Sequence, residues 1–204
     1  MPHDPDRHHR RSIRLRGYDY SQAGAYFVAI RTQGRSCLFG DVVDGRMELN
    51  HAGQILWSEW EALPTRFPCI ELDEFVVMPN RVHGIVWIVG VPLVGALSPD
   101  AEEGATTRVA HTDTDSPDAA DGETTRVAPT LGEVVGAFKS LTTNGYIRGV
   151  KEYEWPAFPG RLWQRNYYKH IIRTDESLAR VRQYIIDNPA QWADDNENPA
   201  RGQP

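Results

Sequence analysis

Apolar positions in the first fifty residues follow patterns that predict a strand and then a hairpin. The segment AYFVAIR at 25–31 is rich in β-branched and aromatic residues, which favour an extended backbone. Within SCLFGDVVDGRMELN at 36–50, two short alternating stretches flank the pair Asp44-Gly45. An Asp-Gly pair in that setting is a strong signal of a two-residue turn, so we expect two short paired strands here.

The next forty residues predict a helix followed by two strands. Apolar residues recur at helical spacing from His51, and Pro64 is expected to end that helix. The stretches IELDEFVVM (70–78) and RVHGIVWIV (81–89) are dominated by apolar and β-branched residues, which predicts strands. Pro79-Asn80 lies between them, as expected of a tight turn.

Regular patterns resume at residue 131 and predict two helices on either side of a strand. LGEVVGAFKSLTTNGYI (131–147) repeats apolar residues at helical spacing, and GRLWQRNYYKHIIR (160–173) has the composition of an aromatic-rich strand. Thr174 is placed to cap a last helix, with Asp175 or Ser177 as alternative caps. Together the elements predict an α+β domain, an antiparallel sheet with helices packed on one face.

The segment between these two groups of elements has no regular pattern and divides one domain into two parts. Residues 13–90 and 131–192 form the two parts, and 91–130 is predicted to be a flexible acidic insert. The insert carries a duplicated TTRVA segment and, in its centre, eight acidic residues against a single arginine. Polar composition predicts that residues 1–12 (a basic tail) and 193–204 are disordered.

Composition and charge predict a cytoplasmic protein without a membrane segment. The two cysteines, Cys37 and Cys69, have neither a metal-ligand spacing nor a disulfide framework. No apolar run reaches the ~18 residues that cross a bilayer, and the first residues lack the apolar centre of a secretory signal. The net charge of −6 comes from the insert, and the rest of the chain is close to neutral. Basic residues cluster near both ends of the chain, where they either contact phosphates or form an ordinary solvated surface.

Two pairs of polar residues are spaced so that each pair shares one side of its element. Arg81 and His83 are two apart in a predicted strand and therefore point to the same face. Tyr184 and Asn188 are four apart in the last helix and lie one turn from each other. An amide oxygen can complete the shell of a hard cation. The alternative is that Tyr184 packs in the core and Asn188 merely ends the helix.

Aromatic and basic residues also alternate in the segment before the last helix. That mixture suits single-stranded nucleic acid, because bases stack on aromatic rings while cations meet phosphates. An aromatic edge of the core is the alternative. The candidate DNA contacts are Arg14 and Arg16 near the N-terminus, Arg81 in the predicted strand, and, in this segment, Trp163, Arg165, Tyr168, His170 and Arg173.

Five stretches, taken in order, resemble the REP-associated tyrosine transposases, a single-tyrosine HUH family of insertion-sequence type. The stretches are RLRGYDYSQAGAYFVAI, LDEFVVMPNRVHGI, VVGAFKSLTT, LWQRNYYKHIIR and VRQYIIDNP. The resemblance implies a ferredoxin-like fold and an enzyme that nicks and rejoins hairpin-forming single-stranded DNA through a 5′-phosphotyrosine. It implies that Tyr184 is the nucleophile, that His83 and Asn188 hold Mg²⁺ or Mn²⁺, and that the protein is a monomer or a homodimer.

One position departs from the family pattern, because Arg81 stands where the first histidine of the His-x-His motif is expected. A guanidinium cannot ligate a cation, and it adds a permanent positive charge. Either Arg81 binds the phosphate in place of the cation, or it leaves a protein that binds hairpin DNA without cutting it. A third class, a small-molecule metalloenzyme using His51, His83 and His170, has no ligand motif to link these residues.

Overall fold

The computed structural model describes residues 22–89 and 128–201. The tail at 1–12, the residues Arg14 and Arg16, and most of the predicted insert lie outside the described residues. The elements, in chain order, are β1 (Gly24–Arg31), β2 (Gly40–Val43), β3 (Arg46–Leu49), α1 (His51–Glu61), α2 (Leu63–Arg66), β4 (Ile70–Met78), β5 (Arg81–Ile88), α3 (Leu131–Tyr153), β6 (Tyr168–Ile172) and α4 (Asp175–Asp187).

The predicted α+β class is confirmed by a four-stranded antiparallel sheet in the order β4-β5-β1-β6. Strands and helices alternate as β1-α1-β4-β5-α3-β6, which is the β-α-β-β-α-β pattern of ferredoxin-like folds. The predicted hairpin forms the separate β2-β3 pair. None of the helices in the described ranges is long and apolar enough to cross a membrane.

Helices cover both faces of the sheet, which corrects the prediction that they pack on one face. Tyr26, Val28 and Ile30 of β1 point to the face packed by α1 and α3. The alternate residues Phe27 and Ala29 point to the other face, where α4 packs through residues such as Ile185. A central strand that is apolar at every position is buried on both sides, and this was visible in the continuous run AYFVAI. We call the side packed by α4 the tyrosine face.

Polar side chains fix the start of each long helix. Asn50 accepts a hydrogen bond from the backbone nitrogen of Gly53 at 2.9 Å and caps α1. Thr130 and Glu133 form a reciprocal capping box at α3. The predicted cap of α4 is confirmed, because the Thr174 hydroxyl accepts from the backbone of Ser177 at 3.2 Å. These caps satisfy amide donors that have no partner within the helix.

Two predicted boundaries are wrong. The strand expected over 160–173 is confined to Tyr168–Ile172, because the preceding segment is held as a loop by contacts with α3 and the end of β1. The tail expected to be disordered from 193 is folded as far as residue 201. Trp192, just before it, is buried, and Glu197 forms ion pairs with Arg31, the last residue of β1, and with Arg35, which follows that strand. Contacts with distant residues, which composition does not show, order this segment.

Candidate functional site

Tyr184 lies on the tyrosine face with its ring against two residues of the sheet. Its ring stacks on the imidazole of His83, with centroids 5.4 Å apart and an angle of 22° between the planes. Phe27 contacts both rings edge-on, at 6.0 Å from Tyr184 and 5.6 Å from His83. The Tyr184 side chain is nevertheless 45% exposed. The structure therefore brings the predicted strand and helix residues together and leaves the tyrosine accessible to a ligand.

His83 is a buried, neutral imidazole. Burial, together with the positive charges of Arg81 and Arg31, lowers its pKa to about 3, and burial is the largest of these causes. Within the described residues its Nδ1 atom is buried and has no hydrogen-bond partner. A neutral imidazole of this kind carries no charge at physiological pH and is a weak base.

Arg81 does not face solvent but joins three parts of the chain. Its Nη2 atom donates to Asn188 Oδ1 at 2.7 Å and to Asp195 Oδ2 at 2.5 Å, and Nη1 donates to Asn80 Oδ1 at 3.3 Å. Its guanidinium also lies 5.1 Å from the centre of the Trp192 ring. We call these five residues the Arg81 network. They connect β5 to the end of α4 and to the segment that follows it.

The residues present do not fit a divalent cation. Arg81 has no lone pair to offer, and Asn188 Oδ1, the predicted amide ligand, accepts a hydrogen bond from it. Across 22–89 and 128–201 there is no group of three or more His, Cys, Asp or Glu side chains that could hold a metal ion. Of the predicted ligands, His83 presents a buried ring nitrogen, Nδ1, without a hydrogen-bond partner among the described residues. The predicted Mg²⁺ or Mn²⁺ site thus stays a prediction that this donor set does not favour.

A second polar contact fixes α4 to the sheet, and sequence reasoning missed it. Arg182 donates two hydrogen bonds to the Asp73 carboxylate of β4, at 2.8 and 2.6 Å, and Trp87 donates a third at 2.9 Å. The pKa of Asp73 falls to about 2, chiefly because of the hydrogen bond from Arg182. Along α4, Tyr184 comes after Arg182 of this contact and before Asn188 of the Arg81 network. The motif LDEF contained the acid, but nothing in the sequence indicated its partner.

We expect Asp73→Asn to lower the melting temperature at pH 7. The folded-state pKa of Asp73 is below its ordinary value of 3.8, so the carboxylate contributes stability above about pH 4. That contribution is lost as the pH falls from about 4 to about 2. The difference between wild type and variant in thermal unfolding should therefore shrink over this interval. Glu71→Gln, at an exposed acid of the same strand, should show no such difference, and a constant gap down to pH 2 would contradict the prediction.

The β6 edge of the tyrosine face carries two exposed rings. Tyr168 pairs in register with Ala29 and is 48% exposed, and His170 pairs with Phe27 and is also exposed. The Tyr168 ring lies 6.1 Å from that of Phe27. Because alternate residues of a strand share a face, both rings lie on the same side as Tyr184. Arg165 and Arg173, exposed residues before and after β6, complete the predicted contacts in this region.

Trp163 does not belong to this surface, and the structure corrects its assignment as a DNA contact. It is 5% exposed, its indole nitrogen donates to Thr142 Oγ1 at 3.0 Å, and its ring packs 5.2 Å from Phe39. At this degree of burial the ring has too little exposed surface for a base to stack on it. The three histidines of the metalloenzyme alternative are also not gathered into a metal-binding cluster within the described residues.

The comparisons with known proteins agree with the fold. A solved structure of a REP-associated tyrosine transposase bound to a REP hairpin aligns with 88% of this chain and 74% of that one, at a TM-score of 0.51 and 16% identity. No protein-family profile matches the sequence. An uncharacterized protein of Haemophilus influenzae (strain ATCC 51907 / DSM 11121 / KW20 / Rd) is 35% identical over 188 residues, 92% of each chain. This chain belongs to the same family as that protein.

Proposed function

We propose that this chain is a transposase-type protein that binds hairpin-forming single-stranded DNA on its tyrosine face. One observation carries the proposal: exposed rings from two separate elements, Tyr184 on α4 and Tyr168 with His170 on β6, converge on one surface. The shared fold with a protein solved bound to a REP hairpin supports the choice of ligand.

The chemistry of this surface suits a single strand better than a duplex. Unpaired bases offer flat faces that stack on exposed aromatic rings, and each such contact is worth about 1–3 kcal/mol. Exposed Arg165 and Arg173 lie near the two ends of β6 and can meet the phosphates on either side of a stacked base. Bases within a duplex are already stacked on each other and cannot use these rings.

The proposal predicts that Tyr168→Ala weakens binding by about 5- to 150-fold, the equivalent of one lost stacking contact. Binding would be measured by fluorescence anisotropy on hairpin oligonucleotides with single-stranded flanks, made from palindromes next to the gene. Tyr153→Ala is the matched control, because Tyr153 is 67% exposed but lies at the end of α3, away from the tyrosine face. The affinity of wild type should fall as salt rises.

Equal weakening in both variants, or binding that salt does not change, would contradict this location of the DNA. An affinity for the corresponding duplex as high as for the single strand would count against stacking on the exposed rings.

Strand cleavage by Tyr184 is the second candidate function, and the accessibility of that side chain favours it. In such a step the phenol oxygen bonds to phosphorus, the bond from phosphorus to the 3′ oxygen breaks, and the proton lost by the phenol is balanced by one gained at the 3′ oxygen. The site supplies little help, because His83 is a weak base and the charge of Arg81 is compensated by Asp195.

A gel assay separates the two functions. A 3′-labelled hairpin oligonucleotide would be incubated with wild type, Tyr184→Phe and Arg81→His, each with and without Mn²⁺, and scored for a label joined to protein. We expect wild type to bind the oligonucleotide and form no covalent product. A product that forms with wild type and disappears in Tyr184→Phe would establish cleavage instead.

A further inference from the structure

A groove of about 400 Å³ lies outside the tyrosine face, between α3 and the loop that leads to β6. Its apolar wall includes Phe158 and Ile147, which are partly exposed, above the buried Leu162. Ser140 and Asn144, one turn apart on α3 and on the same side of that helix as Ile147, add polar groups to the lining. The groove thus combines apolar and hydrogen-bonding side chains.

The charged side chains that line the groove are all basic. Among the described residues, its lining includes Lys139, Arg161 and Arg165 and no acidic side chain, although the whole chain carries a net charge of −6. The cavity on the other side of α3, lined by Arg148, also contains an acid, Glu59. Three cations without a carboxylate favour a negatively charged ligand.

One of the three cations builds the groove, and the other two remain available. Lys139 Nζ donates to the backbone oxygens of Gln164 and Arg165, at 2.9 and 3.3 Å, and so ties the loop to α3. The side chain of Arg161, by contrast, is exposed at the rim. A guanidinium at a rim can contact a phosphate with two parallel hydrogen bonds.

The groove is connected to the tyrosine face through the same loop. Gln164 donates from its backbone to Arg31 O at 2.9 Å and from its side chain to Thr32 O at 3.2 Å, at the end of β1. Arg165 lines the groove, and Tyr168, the first residue of β6, follows shortly after it in the chain. A strand that crosses the exposed rings of β6 can therefore continue around this edge of the sheet.

We propose that this groove holds one nucleotide of the single strand beside the hairpin, with its base against Phe158 and its phosphate at Arg161. The amide of Asn144 offers a donor and an acceptor side by side, which is the complement of a base edge. This inference rests on the proposed function and adds a second contact to it, on a surface away from Tyr184.

The test compares a hairpin that has a single-stranded flank with the same hairpin without one. In Arg161→Ala, anisotropy should show about fivefold weaker binding of the flanked hairpin, a salt dependence reduced by about 0.7 in the log-log slope, and unchanged binding of the unflanked hairpin. Asn144→Trp, which fills the groove, should weaken only the flanked hairpin. Arg148→Ala removes the same charge from the exposed surface of α3, outside the groove, and should match wild type.

A second measurement locates the base directly. A flank that carries 5-iodo-deoxyuridine should cross-link on irradiation to the peptide containing Phe158, identified by mass spectrometry, and the yield should fall in Asn144→Trp. If Arg161→Ala and Asn144→Trp bind the flanked hairpin as tightly as wild type does, and no cross-link forms, the proposal that the groove holds a nucleotide is overturned. The proposal for the tyrosine face would not be affected by that result. Failure of wild type to bind either hairpin would overturn both proposals. Suppose instead that wild type binds free thymidine monophosphate, that Arg161→Ala abolishes this binding, and that the same variant binds the flanked hairpin as wild type does. That result would overturn the proposal and assign the groove to a free nucleotide.

Discussion

Replacement of Arg81 by alanine is expected to lower the free energy of unfolding by about 3 kcal/mol. The guanidinium is buried, and its removal leaves Asn188 Oδ1 without its donor and the Asp195 carboxylate without its counter-charge. Unpaired buried acceptors are costly because neither water nor protein satisfies them. Urea denaturation of the purified variant, followed by circular dichroism, measures the change.

The same substitution should release the segment after α4. Amide hydrogen exchange over 189–197 should accelerate in Arg81→Ala more than in the sheet, because Asp195 and Trp192 contact the guanidinium. Arg35→Ala is the control: Arg35 pairs with Glu197 at 3.2 Å but is 56% exposed, so its loss should change the unfolding free energy by no more than about 0.5 kcal/mol. Equal losses of unfolding free energy in Arg81→Ala and Arg35→Ala would show that Arg81 is not the main contact that holds the segment after α4.

Gly84→Ala is expected to destabilise the fold by about 3 kcal/mol through overpacking. A methyl group at Gly84 would lie 2.4 Å from the nearest ring atom of Trp60 and 3.0 Å from Phe75. The Trp60 ring has no room to move, since it is buried, stacked 4.4 Å from Phe75 and in edge contact with Phe138. Thermal or urea unfolding of the variant measures the loss.

Gly136→Ala is the matched control for this prediction. Gly136 lies in α3, and a methyl group added there would have no described atom of a neighbouring element within 4 Å, so alanine meets no steric conflict. Alanine should stabilise the helix by about 0.5–1 kcal/mol relative to glycine. A Gly84→Ala variant as stable as wild type would mean that the packing of Trp60 against β5 is loose.

The local elements were predictable because each depends on residues close in sequence. Asp44 and Gly45 both adopt positive φ angles, 49° and 73°, as the Asp-Gly signal indicates for a tight hairpin turn. The two polar pairs were also predictable, since strand and helix periodicity alone put Arg81 beside His83 and Tyr184 above Asn188. That these two pairs meet follows from the order of the strands, which the sequence indicated only through the resemblance.

The contacts that the sequence did not predict are those between residues far apart in the chain. Asp73 and Asp195 gave no local signal, because a carboxylate in a strand or an acidic tail is ordinarily solvated. Their arginine partners, Arg182 and Arg81, lie 109 and 114 residues away. Trp163 was assigned to the surface by its basic neighbours, yet its hydrogen bond to Thr142 holds it in the core. Burial of this kind is decided by tertiary packing, which composition does not record.

The Arg81 network also limits how this position can change during evolution. A histidine at 81 would bring the site closer to a His-x-His motif, but it would lack the reach and the hydrogen-bond donors that now satisfy both Asn188 and Asp195. The fitness effect of that single substitution therefore depends on which residues already occupy 188, 192 and 195. We therefore expect a change at the end of α4, or in the segment that follows it, to precede the loss of this arginine.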